Sequence, residues 1–179
     1  RLRELSPGVI ADPRVNKSIF RIYRDVRFSH DKTPYKTHLA LFFWIGKGAK
    51  LENPGYYFHL DADNLMLGGG IYQFSKPMLK AYRDAVIDPS LGSALNLLLA
   101  DLKEKGYQVG YKTYKRVPRG YPPEHKYADL LRYSGFTMGI DLGIPKTLFT
   151  PTLIDTCFEI YRDAKPMIAW LQKIKSAIA

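Results

Sequence analysis

The fold of this chain is decided by the stretch Tyr56-Tyr57-Phe58-His59-Leu60-Asp61-Ala62-Asp63-Asn64-Leu65-Met66-Leu67-Gly68-Gly69-Gly70-Ile71-Tyr72. Residues 56–60 and 65–72 are rich in aromatic and aliphatic side chains, and a short polar turn separates them. This pattern predicts two antiparallel strands joined as a hairpin. The consecutive glycines weaken the second strand, so close backbone approach, a bulge or sharp coiling must require them there.

Further strands are predicted on the N-terminal side of this hairpin. The run from His38 to Ile45 is apolar on both faces, which is typical of a central strand. From Ser18 to Ser29, apolar and polar side chains alternate, which also predicts a strand. Arg24 breaks the alternation because it falls on the apolar face. We therefore expect Arg24 to be at least half buried and paired with a carboxylate.

Helices dominate the C-terminal half of the predicted structure. Ser75 and Ser90 are suited to begin two successive helices, the second of which ends before Gly106. Pro166 lacks the amide hydrogen that a helix interior uses, so a kink or break is expected near Ala164. The predicted elements are helices over Ser75 to Ile87 and Ser90 to Lys105, a strand over Val109 to Val117, a short helix over Tyr127 to Tyr133, a strand over Phe136 to Leu142, and a helical region from Thr150 to Ile178.

The order of these elements predicts the fold class. Hairpin strands come first and helices follow, which favours an α+β fold: a largely antiparallel sheet of hairpin strands with helices packed on it. At 179 residues the chain, 1–179, is expected to form a single domain. Leu2 and Leu5 resemble the end of a helix whose start is missing, so we expect that an upstream helical region is lacking.

Composition limits the classes of function and the compartment. The net charge of +10 predicts at least weak attraction to polyanions. The single cysteine, Cys157, cannot form an intrachain disulfide and fits a reducing compartment, so we expect a cytoplasmic protein. The sequence contains no apolar run of about 18 residues, so neither a transmembrane helix nor a membrane partner is predicted.

Two basic segments are the candidate binding elements. The segment from Arg21 to His38 is dense in groups that bind anions, and guanidinium groups can bind carboxylate or phosphate through two hydrogen bonds. A second basic run, from Lys115 to Tyr121, contains Pro118, which stiffens it for binding. Loops at one end of an antiparallel sheet can meet, so one shared site for a small anionic ligand is predicted. Its residues are Arg21, Arg24, Arg27, Lys32, Tyr35, His59, Arg116 and Arg119.

The same segments carry a family resemblance. The pattern Arg21-x-x-Arg24-Asp25-x-Arg27-Phe28, followed by Asp31-Lys32-x-Pro34-Tyr35-Lys36, resembles the signature of a bacterial and fungal family of conserved hypothetical proteins, domain of unknown function 2461. Further matches lie at residues 54–59, 68–72 and 115–121. The resemblance as a whole is spread over residues 21 to 142. It implies an additional helical region upstream. It implies no established activity, ligand, cofactor or catalytic residue.

Two other classes of function stay open. Basic and aromatic residues interleave between Tyr107 and Tyr121, including Tyr111 and Tyr114, as they do on surfaces that stack nucleic-acid bases. No RRM, KH or helix-turn-helix pattern accompanies them. Alternatively, Asp25 could simply neutralise neighbouring arginines on a solvated surface, which suits a structural or interaction module without a ligand.

Specific chemistry is not indicated by any motif. His59, Asp61 and Asp63 could lie on one strand face as metal ligands, but aspartates also serve hairpin turns, so no metal and no cofactor is predicted. The sequence has neither a Gly-x-Ser-x-Gly nor a His-Glu-x-x-His motif. Whether the protein is an enzyme is therefore left open by the sequence.

Overall fold

The computed structural model describes residues 1–110 and 112–178. Within these residues a single antiparallel sheet has the strand order β1-β2-β3-β4-β6-β5. The strands are β1 (Val9–Ile10), β2 (Leu39–Ile45), β3 (Gly55–Leu60), β4 (Leu65–Ile71), β5 (Gln108–Val109) and β6 (Phe136–Asp141). The sheet and the helices that accompany it confirm the predicted α+β fold, and strands β3 and β4 form the predicted hairpin.

Within the described residues, four α-helices accompany the sheet. They are α1 (Leu2–Leu5), α2 (Lys76–Ile87), α3 (Pro89–Glu104) and α4 (Leu153–Ser176), and 3₁₀ turns lie at Lys50–Glu52, Ala128–Arg132 and Lys146–Phe149. The α3 helix begins before Ser90 because Asp88 is its N-cap. The Asp88 carboxylate accepts hydrogen bonds from the backbone amides of Ser90 and Leu91, at 2.9 and 2.8 Å.

The core lies between the helices and one face of the sheet. Tyr56 on β3 and Leu67 and Ile71 on β4 are fully buried, as are Met167 and Leu171 on α4. Each such side chain contributes about 1.5–3 kcal/mol by leaving water. Because side chains alternate along a strand, the intervening residues of β3 and β4 face the other side of the sheet.

The predicted strand from Ser18 to Ser29 is wrong beyond its first residues. The amide of Phe20 donates to the Ala40 carbonyl at 3.0 Å, and the amide of Phe42 donates to the Ser18 carbonyl at 2.8 Å, so only this start follows β2. Residues 21–37, called the arm here, leave the sheet and double back. The amide of Arg24 donates to the Pro34 carbonyl at 2.9 Å. The alternation in sequence therefore reflects extended backbone that pairs with itself.

The predicted strand from Val109 to Val117 is also wrong after Val109. Gly110 turns the chain with a φ of +33°, and the amides of Thr113 and Tyr114 donate to the Arg132 carbonyl instead of to a neighbouring strand. Tyr111, which belongs to this prediction and to the predicted basic-aromatic run, lies outside the described residues.

Of the kink or break expected near Ala164, the break is not found, because α4 is continuous through Pro166. Pro166 is exposed, whereas Ala164 and Met167 are completely buried. The carbonyl that loses its amide partner therefore lies towards solvent, where water can satisfy it, while packing of the buried face holds the helix together.

No single helix in the described part of the chain is long and apolar enough to cross a membrane. Helices α2 and α3 reach that length and composition only when they are counted together, and they are bent by 92° where they meet.

Candidate ligand-binding cleft

The face of the sheet opposite the helices forms the floor of a cleft with a volume of about 740 Å³. Tyr57 and His59 on β3, Met66 on β4 and Thr137 on β6 line it. Most of the lining is apolar. A concave, mainly apolar cleft with a few polar groups is the usual form of a small-molecule site.

The centre of the floor carries no side chains. Strand pairing places Phe42, Tyr57, Gly68, Gly139 and Gln108 in one row across the sheet. Two aromatic rings stand at one end of the row, an amide stands at the other, and bare backbone lies between them. A flat group could therefore lie directly on the peptide planes.

The two central glycines have different structural explanations. A Cβ at Gly68 would collide with the carbonyl oxygen of Met138 and lie 3.1 Å from Cα of Gly139, so close strand packing requires a glycine there. A Cβ at Gly139 would have its nearest neighbours at 3.4 Å, the Leu67 carbonyl oxygen, and 3.5 Å, Sδ of Met66. These are ordinary contacts. Packing does not require Gly139, and its effect is to keep the floor of the cleft open.

Alternate residues of β3 and the turn after it form a polar chain along the cleft. The Tyr57 hydroxyl lies 3.0 Å from Nδ1 of His59, and Nε2 of His59 lies 3.9 Å from a carboxylate oxygen of Asp61. The ring of His38 stacks on that of His59 with 4.3 Å between ring centres. Burial raises the pKa of the Tyr57 phenol. The backbone amides of Asp63 and Asn64, which donate to Asp61, lower the pKa of its carboxyl group.

One end of the cleft is cationic. The ring of Phe20, which lines the cleft, lies 4.1 Å from Nζ of Lys50 and 5.8 Å from Nζ of Lys36. Burial, and then the charges of Lys17 and Lys36, lower the pKa of Lys50. Among residues 1–110 and 112–178, neither Lys36 nor Lys50 forms an ion pair with a carboxylate. Their charge is therefore available to an anion.

The opposite end of the cleft carries a carboxylate. Asp141 accepts a hydrogen bond from the side-chain amide of Asn64 at 2.7 Å and one from that of Gln108 at 3.3 Å. The two ends lie on different strands, because Phe20 packs on Tyr57 of β3 while Asp141 belongs to β6, on the far side of β4. An elongated ligand would therefore place its negative group towards Phe20 and away from Asp141.

The predicted arginines of the arm are involved in local ion pairs. Arg24 pairs with Asp31, and its side chain is only 32% exposed, so the expectation of a half-buried, carboxylate-paired arginine is confirmed. Arg27 pairs with Asp25 at 2.7 Å on the surface. Arg21 is also exposed.

Of the predicted site residues, only His59 lines the cleft. Lys32 donates to the backbone carbonyl of Val26 at 2.9 Å, and the Tyr35 ring packs on Tyr23 at 5.3 Å. Both predicted residues and both of their contact partners, Val26 and Tyr23, belong to the arm. Of the predicted site, the arm holds Arg21, Arg24, Arg27, Lys32 and Tyr35.

Arg116 and Arg119 are exposed on the loop that follows β5. That loop is tied to α2, since the Tyr121 hydroxyl donates to Asp84 at 2.8 Å. The arm instead leaves the sheet beside β2, near the opposite edge. The structure therefore does not bring the two basic segments together.

Sequence reasoning missed several residues of the cleft. Tyr57 could have been found, because it precedes His59 by two residues on the same strand face. No local sequence pattern identified Lys36 and Lys50 as cleft residues, because each reaches the cleft only through its contact with Phe20. Gln108 could not have been found either, because its place depends on the β5–β6 pairing.

No set of three His, Cys, Asp or Glu side chains within the described residues converges in the manner of a metal site. Asp61 is instead used by the hairpin turn: its carboxylate accepts from the backbone amides of Asp63 and Asn64, at 2.9 and 2.8 Å.

Comparison with known proteins yields one match. The family model described as conserved hypothetical protein (DUF2461) matches residues 1–170. No curated protein and no solved structure matches the chain. The matched region includes every strand of the sheet, the arm, the cleft and most of α4. The chain thus belongs to the conserved hypothetical protein family DUF2461.

Proposed function

We propose that this protein binds a small, flat, anionic ligand in the cleft on the open face of its sheet. The observation that carries the proposal is the open floor at Gly139, where a Cβ would fit by packing but is absent. Tyr57 and Phe42 border this floor with aromatic rings, which suit the face or edge of a planar group.

The charge of the ligand follows from the ends of the cleft. Lys36 and Lys50 offer ammonium groups beside Phe20, whereas Asp141 presents a carboxylate at the far end. An anion is attracted to the first end and repelled by the second. A carboxylate or a phosphate group satisfies this requirement equally well.

The proposed ligand is anionic, as the sequence predicts, but the predicted arginines do not contact it directly. Arg24 and Arg27 already pair with carboxylates, so each contributes little unbalanced charge. Arg21, Arg116 and Arg119 lie outside the cleft, where they add to the positive potential that attracts an anion from a distance.

Binding can be tested with benzoate and phenyl phosphate, and with neutral benzamide as the comparison ligand. Ligand-induced chemical shifts in NMR spectra, followed at constant ionic strength, should give tighter binding for the two anions. Lys50→Gln should weaken anion binding, whereas Lys47→Gln removes the same charge from a neighbouring exposed position and should have little effect. Equal losses of anion affinity in Lys50→Gln and Lys47→Gln would show only the general attraction of anions to a basic protein.

The shape of the floor can be tested independently of its charge. Gly139→Ala should weaken the binding of all flat ligands, because the added methyl group occupies the floor of the cleft. The fold should tolerate the substitution. Gly8→Ala is the matched control, since its Cβ would meet only Cγ2 of Ile45, at 3.7 Å, outside the cleft. Unchanged binding by Gly139→Ala would contradict the proposed position of the ligand.

Nucleic-acid binding is the second candidate, and the arm favours it. Phe28 is 94% exposed and lies beside Arg27, whose guanidinium carbon is 5.8 Å from the ring centre. An exposed aromatic ring beside a cation is suited to stack on an unpaired base. Tyr114 and Tyr121 support this function less, because Tyr114 packs under Arg83 and the Tyr121 hydroxyl is bonded to Asp84.

Fluorescence anisotropy with single-stranded DNA tests this second candidate. Phe28→Ala should weaken binding by about 1–3 kcal/mol if a base stacks on the ring. Phe149→Ala is the matched control, since Phe149 is 83% exposed and lies far along the chain, in the turn before α4. Equal affinities for the two variants would leave only the nonspecific attraction of a basic protein.

A further inference from the structure

We infer that the cleft is catalytic and that Tyr57 and His59 transfer a proton from a bound flat carboxylate whose acidic C–H lies next to a carbonyl group. The inference rests on the proposed function, because the cleft must first bind such an anion. It goes beyond binding by assigning a reaction class and the two residues that perform it.

The geometry determines which nitrogen of His59 can accept a proton. The carboxylate of Asp61 lies on the Nε2 side, at 3.9 Å, and so favours a hydrogen on that nitrogen. Nδ1 then presents a lone pair to the Tyr57 hydroxyl, 3.0 Å away. In this arrangement Tyr57 is the donor and His59 the acceptor, with the Tyr57 oxygen free to accept from the ligand.

The reaction is a coupled transfer of two protons. The ligand C–H gives its proton to the hydroxyl oxygen of Tyr57 while the original Tyr57 proton moves to Nδ1 of His59. The electron pair of the broken C–H bond stays on the ligand as an enolate, and His59 becomes an imidazolium that Asp61 stabilises. Returning the proton to a different atom of the enolate yields an isomer, so neither oxidant nor reductant is needed.

The surroundings of the pair suit this chemistry. The ring of His38 stacks on His59, and burial, followed by the neighbouring charges of His59 and Lys36, lowers the pKa of His38. Facing His59 from β4 is the uncharged Met66. The ammonium groups of Lys36 and Lys50 lie beside Phe20, whose ring centre is 6.3 Å from that of Tyr57, and favour the negative charge of an enolate.

The reaction can be tested with phenylpyruvate in D₂O. Exchange of the hydrogens next to its carbonyl group, followed by ¹H NMR, requires only proton abstraction and return. The parent protein should accelerate this exchange above the buffer rate, and Tyr57→Phe should lower the protein-catalysed rate about a hundredfold. Tyr114→Phe, which removes a hydroxyl outside the cleft, should keep the full rate.

Binding of phenylpyruvate, measured by the chemical shifts of the protein, separates the two ideas. Tyr57→Phe should still bind it, because the aromatic ring remains. Binding without accelerated exchange in the parent protein would overturn the catalytic inference and leave the proposed function intact. Absence of binding by phenylpyruvate, benzoate and phenyl phosphate alike would overturn both.

The direction of the transfer has its own test, which needs no ligand. The ¹⁵N spectrum of His59, assigned by comparison with His59→Gln, should show an unprotonated Nδ1 and a protonated Nε2 in the neutral ring. Tyr57→Phe should shift the Nδ1 signal by removing its hydrogen-bond donor, while Tyr114→Phe should not. A neutral ring protonated at Nδ1 would overturn the proposed direction and with it the inference.

Discussion

The hydroxyl of Tyr161, in the middle of α4, donates a hydrogen bond to the backbone carbonyl of Tyr57 at 3.1 Å. Tyr161 is almost completely buried, and its ring packs on that of Tyr56 with 5.1 Å between centres. The longest helix therefore holds the strand whose opposite face lines the cleft. The backbone of β3 therefore belongs to both the core and the cleft, so substitutions in the core at this point should alter the position of the cleft residues.

Tyr161→Phe should lower the free energy of unfolding by about 1 kcal/mol, because it removes one buried hydrogen bond without leaving a cavity. Urea denaturation measures this directly. Tyr23→Phe, at an exposed position, should have no such effect. A Tyr161→Phe protein as stable as the parent would show that the hydrogen bond contributes nothing net to the fold.

Gly70→Ala should destabilise the protein by about 2 kcal/mol or more. The backbone of Gly70 has a φ of +126°, which side chains disfavour, and a Cβ there would clash with the Phe136 carbonyl oxygen and lie 2.8 Å from Cα of Thr137. Thermal unfolding of Gly70→Ala and of Gly8→Ala measures the difference. Equal melting temperatures for the two variants would contradict this account of the glycine run.

Arg24→Ala should loosen the arm while affecting global stability only slightly. The Arg24–Asp31 pair joins two positions seven residues apart within the arm, whereas Arg27 pairs with Asp25 in its own turn. Limited digestion with chymotrypsin should therefore cut faster after Phe28 in Arg24→Ala than in the parent protein. Arg27→Ala should be cut at the parental rate, and faster cutting of both variants would show that the spanning pair has no special role.

The stability of the protein should decrease as the pH falls below neutrality, in part through His38. Burial is the main cause that lowers the pKa of His38 below its usual 6.5. Between the lowered pKa and 6.5 the unfolded chain binds more protons than the folded protein, so the free energy of unfolding falls with falling pH. His38→Gln should flatten this dependence in urea denaturation between pH 7 and 5. His30→Gln, on the exposed part of the arm, should retain it.

The sequence by itself determined the local elements. Two runs of aromatic and aliphatic residues on either side of Asp61-Ala62-Asp63-Asn64 predicted the β3–β4 hairpin, because strand-forming residues bounded by turn residues are a local signal. Arg24 was likewise expected to be at least half buried and paired with a carboxylate, and it pairs with Asp31 at 32% exposure, although the strand on which that expectation rested does not form. The partner was within reach because it lies in the same arm.

Only the tertiary structure decided where the cleft is. Its central row joins Phe42 to Gln108 across five strands, and each step depends on pairing between segments distant in sequence. The same alternation that places Ser18 to Phe20 along β2 continues into an arm that pairs with itself. Periodicity states which residues share a face, but not which neighbour that face meets. That choice follows from the burial of apolar surface by the whole chain, which no single segment encodes.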